Sequence, residues 1–304
     1  MEFYKEITIE DFGELIAGKV IDLLGKNYSV EFKEMIKNNG SVRHAIVVHK
    51  LFDPVAPAIY IDDLYEQALE RDDIRFLPEY IVECYNKSIK HEIEVEFFKD
   101  FSKVAEFLTF KLVNEGKNEE MLKDVPYRQF EDLALVPICK ISNNSIGEGM
   151  IVIRNEHLKL WEISEDELWE NIHESARAVS GVKIENLADF SRDKFGVPFD
   201  MFLNNMFVIT NDKCVNGASA AFFPGVLKEV AEMSSSDLIL IPSSVHEMIS
   251  VPAEGEIGDI GCLLAIIKEV NDTVVMDEDV LSDNAYYYNA RSERLSILKA
   301  DKDE

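Results

Sequence analysis

Cysteine is scarce in this chain and poorly placed for joint work. Cys84, Cys139, Cys214 and Cys262 are widely separated, and no two form a C-x-x-C pair or stand near histidines at metal-ligand spacing. That excludes a disulfide-stapled scaffold and a conventional zinc finger. Each lies in an apolar run such as VPICKI or GCLLAII, so the expectation is four buried free thiols in a reducing compartment. Long hydrophobic runs are also missing. No stretch of eighteen apolar residues occurs, and the opening MEFYKEITIE has neither a basic nor an apolar signal region, so a soluble cytoplasmic protein is expected. Positive charge is short: 31 Lys and Arg stand against 58 Asp and Glu, for a net charge of −27. Such a balance argues against direct nucleic-acid binding and against an anionic membrane surface.

Several chemical signatures are absent as well. There is no G-x-x-x-x-G-K-[ST] phosphate loop, no H-E-x-x-H zinc helix, no G-x-S-x-G nucleophile elbow and no kinase set. His91-Glu92 and His173-Glu174 each begin like a zinc helix, but Val95 and Arg177 stand where the second histidine belongs. Gly255, Gly258 and Gly261 precede an apolar helix, yet Glu254, Glu256 and Asp259 crowd the same turn and would repel a phosphate. The run DEDVLSD lacks the glycine and terminal glutamate of a twelve-residue calcium loop. No metal and no cofactor is therefore expected.

What is present is an ordinary folding composition, 47% hydrophobic over 304 residues, enough for two domains or one large one. Thr8 and Asp11 signal a helix start, with Ile7 and Phe12 as its staple and Gly25 as its end. YSVEFKEMIKN and SVRHAIVVHK flank Asn38, Asn39 and Gly40, which predicts a β-hairpin. From Phe97 to Leu112 apolar residues recur at three- and four-residue steps, which predicts a helix. DLALVPICKI and MIVIR predict a second hairpin, and Ser164 with Glu167 forms a capping box for a helix from Glu165. The stretch from Ser180 to Asp200, broken by Gly181, Gly196 and Pro198, suits a connection between lobes. NMFVITN and GASAAFF read as strands, and a last helix runs from about Asp259 to Val270. Together these predict an α+β fold of repeated hairpin–helix units, near residues 28–70, 132–175 and 205–233, with mixed or antiparallel sheets covered by helices. A boundary near residue 125 would separate an N-terminal lobe, 1–125, from a C-terminal lobe, 126–304.

The segment PSSVHEM joins nucleophile, base and acid types: Ser243, Ser244, His246 and Glu247. Acyl transfer needs a serine oxygen on an imidazole nitrogen and an orienting carboxylate behind it. Ser244 and His246 are the catalytic candidates, with Ser243 and Glu247 in support. In an extended chain Glu247 points away from His246, so another carboxylate must complete a triad. The competing reading is a turn whose hydroxyls bond local backbone.

The run NNMFVITNDKCVNGASAAFFPGVLKEVAEMSSSDLILIPSSVHEMI, with VNDTVVMDEDVLSDNAYYYN and DLALVPICKI, resembles a family of uncharacterised proteins common in anaerobic Firmicutes and their mobile elements. LIPSSVHEMI and VLSDNAYYYN carry the most specific part of it. The resemblance implies a cytoplasmic bacterial protein and brings no activity, cofactor or catalytic residue.

The acidic charge is concentrated in residues 60–73, 162–174 and 253–283. Such runs serve as solvated helix faces. They also suit a non-enzymatic module that binds a basic protein partner, which is the reading favoured here. A hydrolase or transferase using the serine–histidine cluster, and an acidic mimic of DNA that inhibits a host enzyme, are the alternatives.

Overall fold

The computed structural model describes residues 7–51, 56–71, 73–88, 97–143, 147–195, 205–253 and 259–299. The chain divides into two compact units, Met1–Ile93 with Ser142–Gly147, and Glu94–Ile141 with Glu148–Glu304. Residues 94–125, grouped above with an N-terminal lobe, fall in the second unit.

In the first unit the Thr8 hydroxyl accepts the Asp11 N–H at 3.2 Å and starts helix α1 (Ile9–Leu24). Gly25, at φ 83°, ends it in a conformation that costs a glycine little. Strands β1 (Tyr28–Ile36) and β2 (Val42–Lys50) pair as the expected hairpin, with Asn39 and Gly40 supplying positive φ at the turn. Strand β3 (Ala58–Tyr60) pairs with β2 to complete a three-stranded antiparallel sheet. Helices α2 (Asp62–Arg71) and α3 (Leu77–Ser88) follow. Phe12, Ile16 and Val20 of α1 pack with Ile46, Val48, Ile61, Leu77, Ile81 and Tyr85, all almost fully buried. Each large side chain so buried stabilises the fold by about 1.5–3 kcal/mol in transfer terms.

The second unit opens with short helix α4 (Phe101–Val104), strand β4 (Leu108–Asn114) and short helix α5 (Glu119–Leu122). Strands β5 (Arg128–Phe130), β6 (Leu133–Asn143) and β7 (Gly147–Val152) complete a four-stranded sheet in which β6 pairs with β4, β5 and β7. Helices α6 (Asn155–Trp161) and α7 (Glu165–Ser180) come next, the latter capped where Ser164 accepts the Glu167 N–H at 3.2 Å. Strand β8 (Lys183–Asn186), α8 (Leu187–Phe195), β9 (Phe207–Thr210), α9 (Val226–Ser234), β10 (Leu238–Pro242), β11 (Met248–Pro252), α10 (Ile260–Thr273), β12 (Tyr286–Asn289) and β13 (Arg294–Ile297) finish the unit. Their strands form a six-stranded antiparallel sheet, ordered β13-β12-β10-β11-β9-β8. Leu168, Trp169, Ile172 and Ala176 of α7 join Leu108, Phe110, Phe223 and Val226 in the core. Both tryptophan N–H groups are paired, Trp161 to the Phe98 carbonyl and Trp169 to that of Pro126.

The expected α+β class with antiparallel sheets holds, and four local expectations change. Residues 108–114 form a strand: apolar spacing of four satisfies a two-residue period as well as a helical one, and Thr109, Phe110 and Val113 favour a pleated surface. GASAAFF is a tight, buried 3-10 segment, Gly217–Phe222, because runs of small residues pack closely without a pleat. The third hairpin–helix unit therefore does not form, and β9 pairs with β8 and β11 instead. Residues 183–195 build β8 and α8, an edge strand and a helix, where a bare connection was expected. Of the cysteines only Cys139 is buried, which pushes its thiol pKa up to about 12; Cys84 and Cys214 are half-buried and Cys262 is exposed on α10. His91 and the turn at 254–258 lie outside the described residues. No described helix is long and apolar enough to cross a membrane.

Candidate functional site

β10 ends at Pro242 and β11 starts at Met248, so PSSVHEM is the connection between two paired strands. Its backbone is drawn tight, with the Ser243 and Ser244 N–H groups both donating to the Glu247 carbonyl at 3.2 and 3.4 Å. Ser244 is buried, and its Oγ accepts the His246 backbone N–H at 3.0 Å. The serine thus meets the histidine's main chain, and no described contact joins it to the ring. Ser243 and Glu247 are half-buried on the same link.

The His246 ring is held from two other segments. Its Nδ1 accepts the Asn216 N–H at 3.1 Å, which leaves the proton on Nε2, and Nε2 donates to Asp279 Oδ1 at 3.1 Å. Asn216 reaches that position because Asn211 organises its loop. Asn211 Oδ1 accepts the Lys213 and Val215 N–H groups, while its Nδ2 donates to the Val215 carbonyl at 2.7 Å. Cys214 and Asn216 follow with positive φ. The Thr210 hydroxyl donates to the His246 carbonyl at 2.7 Å, and the Val245 N–H donates to the Asp279 carbonyl at 2.8 Å. Residues 210–218, 243–248 and 277–286 are therefore laced together, and these lie in the stretches that carry the family resemblance. Asp279 is the carboxylate the sequence reading left to come from elsewhere. Its only sequence signal was membership of an acidic run. Both imidazole nitrogens are thus bonded within this arrangement, which ties the three loops to one another.

A second polar knot sits beside it. Asp132, in the turn before β6, accepts from Ser282 Oγ at 2.6 Å, Asn284 Nδ2 at 3.0 Å and the Tyr286 hydroxyl at 2.6 Å. Asp237 does similar work for Tyr287, Asn289 and the Ala290 N–H. Those donors, the Tyr287 hydroxyl foremost, hold the Asp237 carboxyl below the usual carboxylate range. Burial first, and then the Asp132 charge, pushes the Tyr286 phenol far above its ordinary range. Folded Tyr286 keeps its proton at a pH where an unfolded tyrosine, with pKa about 10, loses it. Its contribution is full below pH about 10 and declines above that by up to about 1.4 kcal/mol per pH unit. Urea titrations through that range are expected to show the decline, and Tyr286→Phe to flatten it; a pH-independent midpoint would rule the assignment out.

Among the described residues, one group could hold a metal: Glu10, Glu34 and His44 of the first unit. Sequence reading missed it because the residues are 24 and 10 positions apart and meet only once a helix and a hairpin register are known. The hairpin signal at Asn38, Asn39 and Gly40 was the available clue, since pairing about it sets Glu34 opposite His44.

A family model described as "Family of unknown function (DUF5688)" matches residues 9–290. No curated protein and no solved structure is significantly similar to the chain.

Proposed function

The chain belongs to the DUF5688 family, whose function is unknown, and we propose that it is a non-enzymatic module that binds a basic protein through helix α10. The observation that carries this reading is a second apolar face on that helix. Asp259 caps α10 by accepting the Cys262 N–H at 3.2 Å. One side of the helix, with Ile267, Leu263 and Leu264, packs against Ile239, Ala285 and Leu298. Another side leaves Ile266, Val270 and Val274 exposed by 53%, 43% and 75%, and Met276 follows at 62%. Four-residue steps keep the first three on one slowly winding stripe, with exposed Cys262 at its start. Contiguous apolar surface of this kind marks a site of association. Exposed Glu269, Asp272 and Asp277 adjoin it along the chain, where Lys268 is the one basic residue between positions 259 and 283, and an apolar centre bordered by charged groups suits the polar rim of a protein interface. A second copy of the chain fits poorly as the occupant, since each copy carries −27. The cytoplasm is the proposed compartment, because all four cysteines are free thiols.

In pull-downs from the native host, the full chain is expected to retain a basic protein at low salt and release it at high salt. Ile266→Asp combined with Val270→Asp is expected to weaken that complex about 30-fold or more, an effect of about 2 kcal/mol. Undiminished affinity in the folded double variant would overturn the assignment to α10.

A further inference from the structure

In the first unit Glu34 pairs directly with His44 near the tip of the β1–β2 hairpin. Side chains alternate along a strand, so both lie on the face that carries Phe32 and Ile46. Helix α1 seats on that face very closely: a Cβ added to Gly13 would lie 2.1 Å from Phe32 Cδ2. The close seating carries Glu10, in the first turn of α1, to the same rim. There Glu10, Glu34 and His44 each offer a ligand atom within 4.8 Å of the others.

Asp62, the first residue of α2, orients the imidazole. Its carboxylate accepts the His44 backbone N–H at 3.1 and 3.3 Å, and its Oδ1 stands 2.8 Å from His44 Nδ1. With the Nδ1 proton donated to that carboxylate, Nε2 presents a lone pair. Histidines that bind metals are held in this way, by a carboxylate that sets the tautomer and the ring direction. Phe32 stacks on the same ring at 5.8 Å between centroids and 5° between planes, a second restraint. The His44 side chain is 17% exposed, while Glu10 and Glu34 open to solvent.

We propose that Glu10, Glu34 and His44 Nε2 bind one divalent first-row transition ion, with water completing its shell. Two carboxylates balance the ion's charge, and one imidazole with carboxylates suits zinc, manganese or iron. Calcium would want six to eight oxygens. Ligands about 2.1 Å from a tetrahedral ion stand about 3.4 Å apart, so from separations within 4.8 Å the exposed glutamates close in by up to about 1.4 Å on binding.

The full chain, stripped with a chelator, is titrated with Zn²⁺ by calorimetry and with Mn²⁺ by electron paramagnetic resonance. Mn²⁺ is the stricter probe because thiols hold it poorly. One ion per chain is expected, bound at least tenfold more weakly by Glu34→Gln and His44→Ala, and 10–100-fold more weakly by Asp62→Asn. Glu10 and Glu34 are exposed, so a Glu10→Gln, Glu34→Gln double variant keeps the fold, which circular dichroism checks. Unchanged Mn²⁺ affinity in that double variant, or no saturable binding by the wild-type chain, overturns the site.

Discussion

Asp132→Ala is expected to lower the stability of the second unit by about 3–5 kcal/mol, the cost of leaving several buried donors facing a missing charged acceptor. Ser282 and Tyr286 are 1% and 0% exposed, so water does not readily replace the carboxylate for their hydroxyls. Hydrogen bonds to a charged group are worth about 1.5–3 kcal/mol each and do not simply add within one network. Tyr286→Phe removes one donor and leaves the other two in place, so about 1–2 kcal/mol is expected for it. The measurement is convenient because both tryptophans, Trp161 and Trp169, lie in the second unit. Urea unfolding followed by their fluorescence reports that unit. An Asp132→Ala midpoint within about 1 kcal/mol of the wild type would show that Asp132 is not a keystone.

Gly217→Ala is the second large effect, expected at about 3 kcal/mol from overpacking. A Cβ there would stand 2.1 Å from Thr210 Oγ1, 2.6 Å from the His246 carbonyl oxygen and 2.7 Å from the Asn211 backbone nitrogen. Rotating Thr210 would relieve the first clash, at the loss of its bond to His246. The other two are with backbone, so the loops themselves must separate. The same fluorescence titration measures the loss, and faster proteolysis within residues 210–218 and 243–248 is expected to accompany it. A variant with wild-type stability and protection would mean the loops are free to part.

Much of the fold was legible where local chemistry is self-contained. Thr8 and Ser164 announce helices because a cap is settled within three residues, and Asn39 with Gly40 announces a hairpin because few residues accept positive φ. Leu108 and Leu112 misled because a spacing of four belongs to both a helix and a strand, and pairing with β6 decided between them. GASAAFF misled because small residues carry no period at all. The site was legible in part. PSSVHEM was singled out by its residue types, while the bonds around it were not visible, because Asn216 and Asp279 reach His246 from 30 and 33 residues away. The same distance hid Glu10 from His44.

The contacts of Asp132 also set an order of events during synthesis. Its partners Ser282, Asn284 and Tyr286 lie 150–154 residues further along the chain. At about 5–20 residues per second, a ribosome delivers them roughly 8–30 s after Asp132 itself. β10 ends about 44 residues before β12 begins, so for roughly the last 2–9 s of that wait the run Leu238–Pro242 has no β12 beside it and offers an open, apolar edge. The nascent second unit thus passes through an interval in which its central strand is unprotected, and the tyrosines of β12 end that interval by closing the sheet.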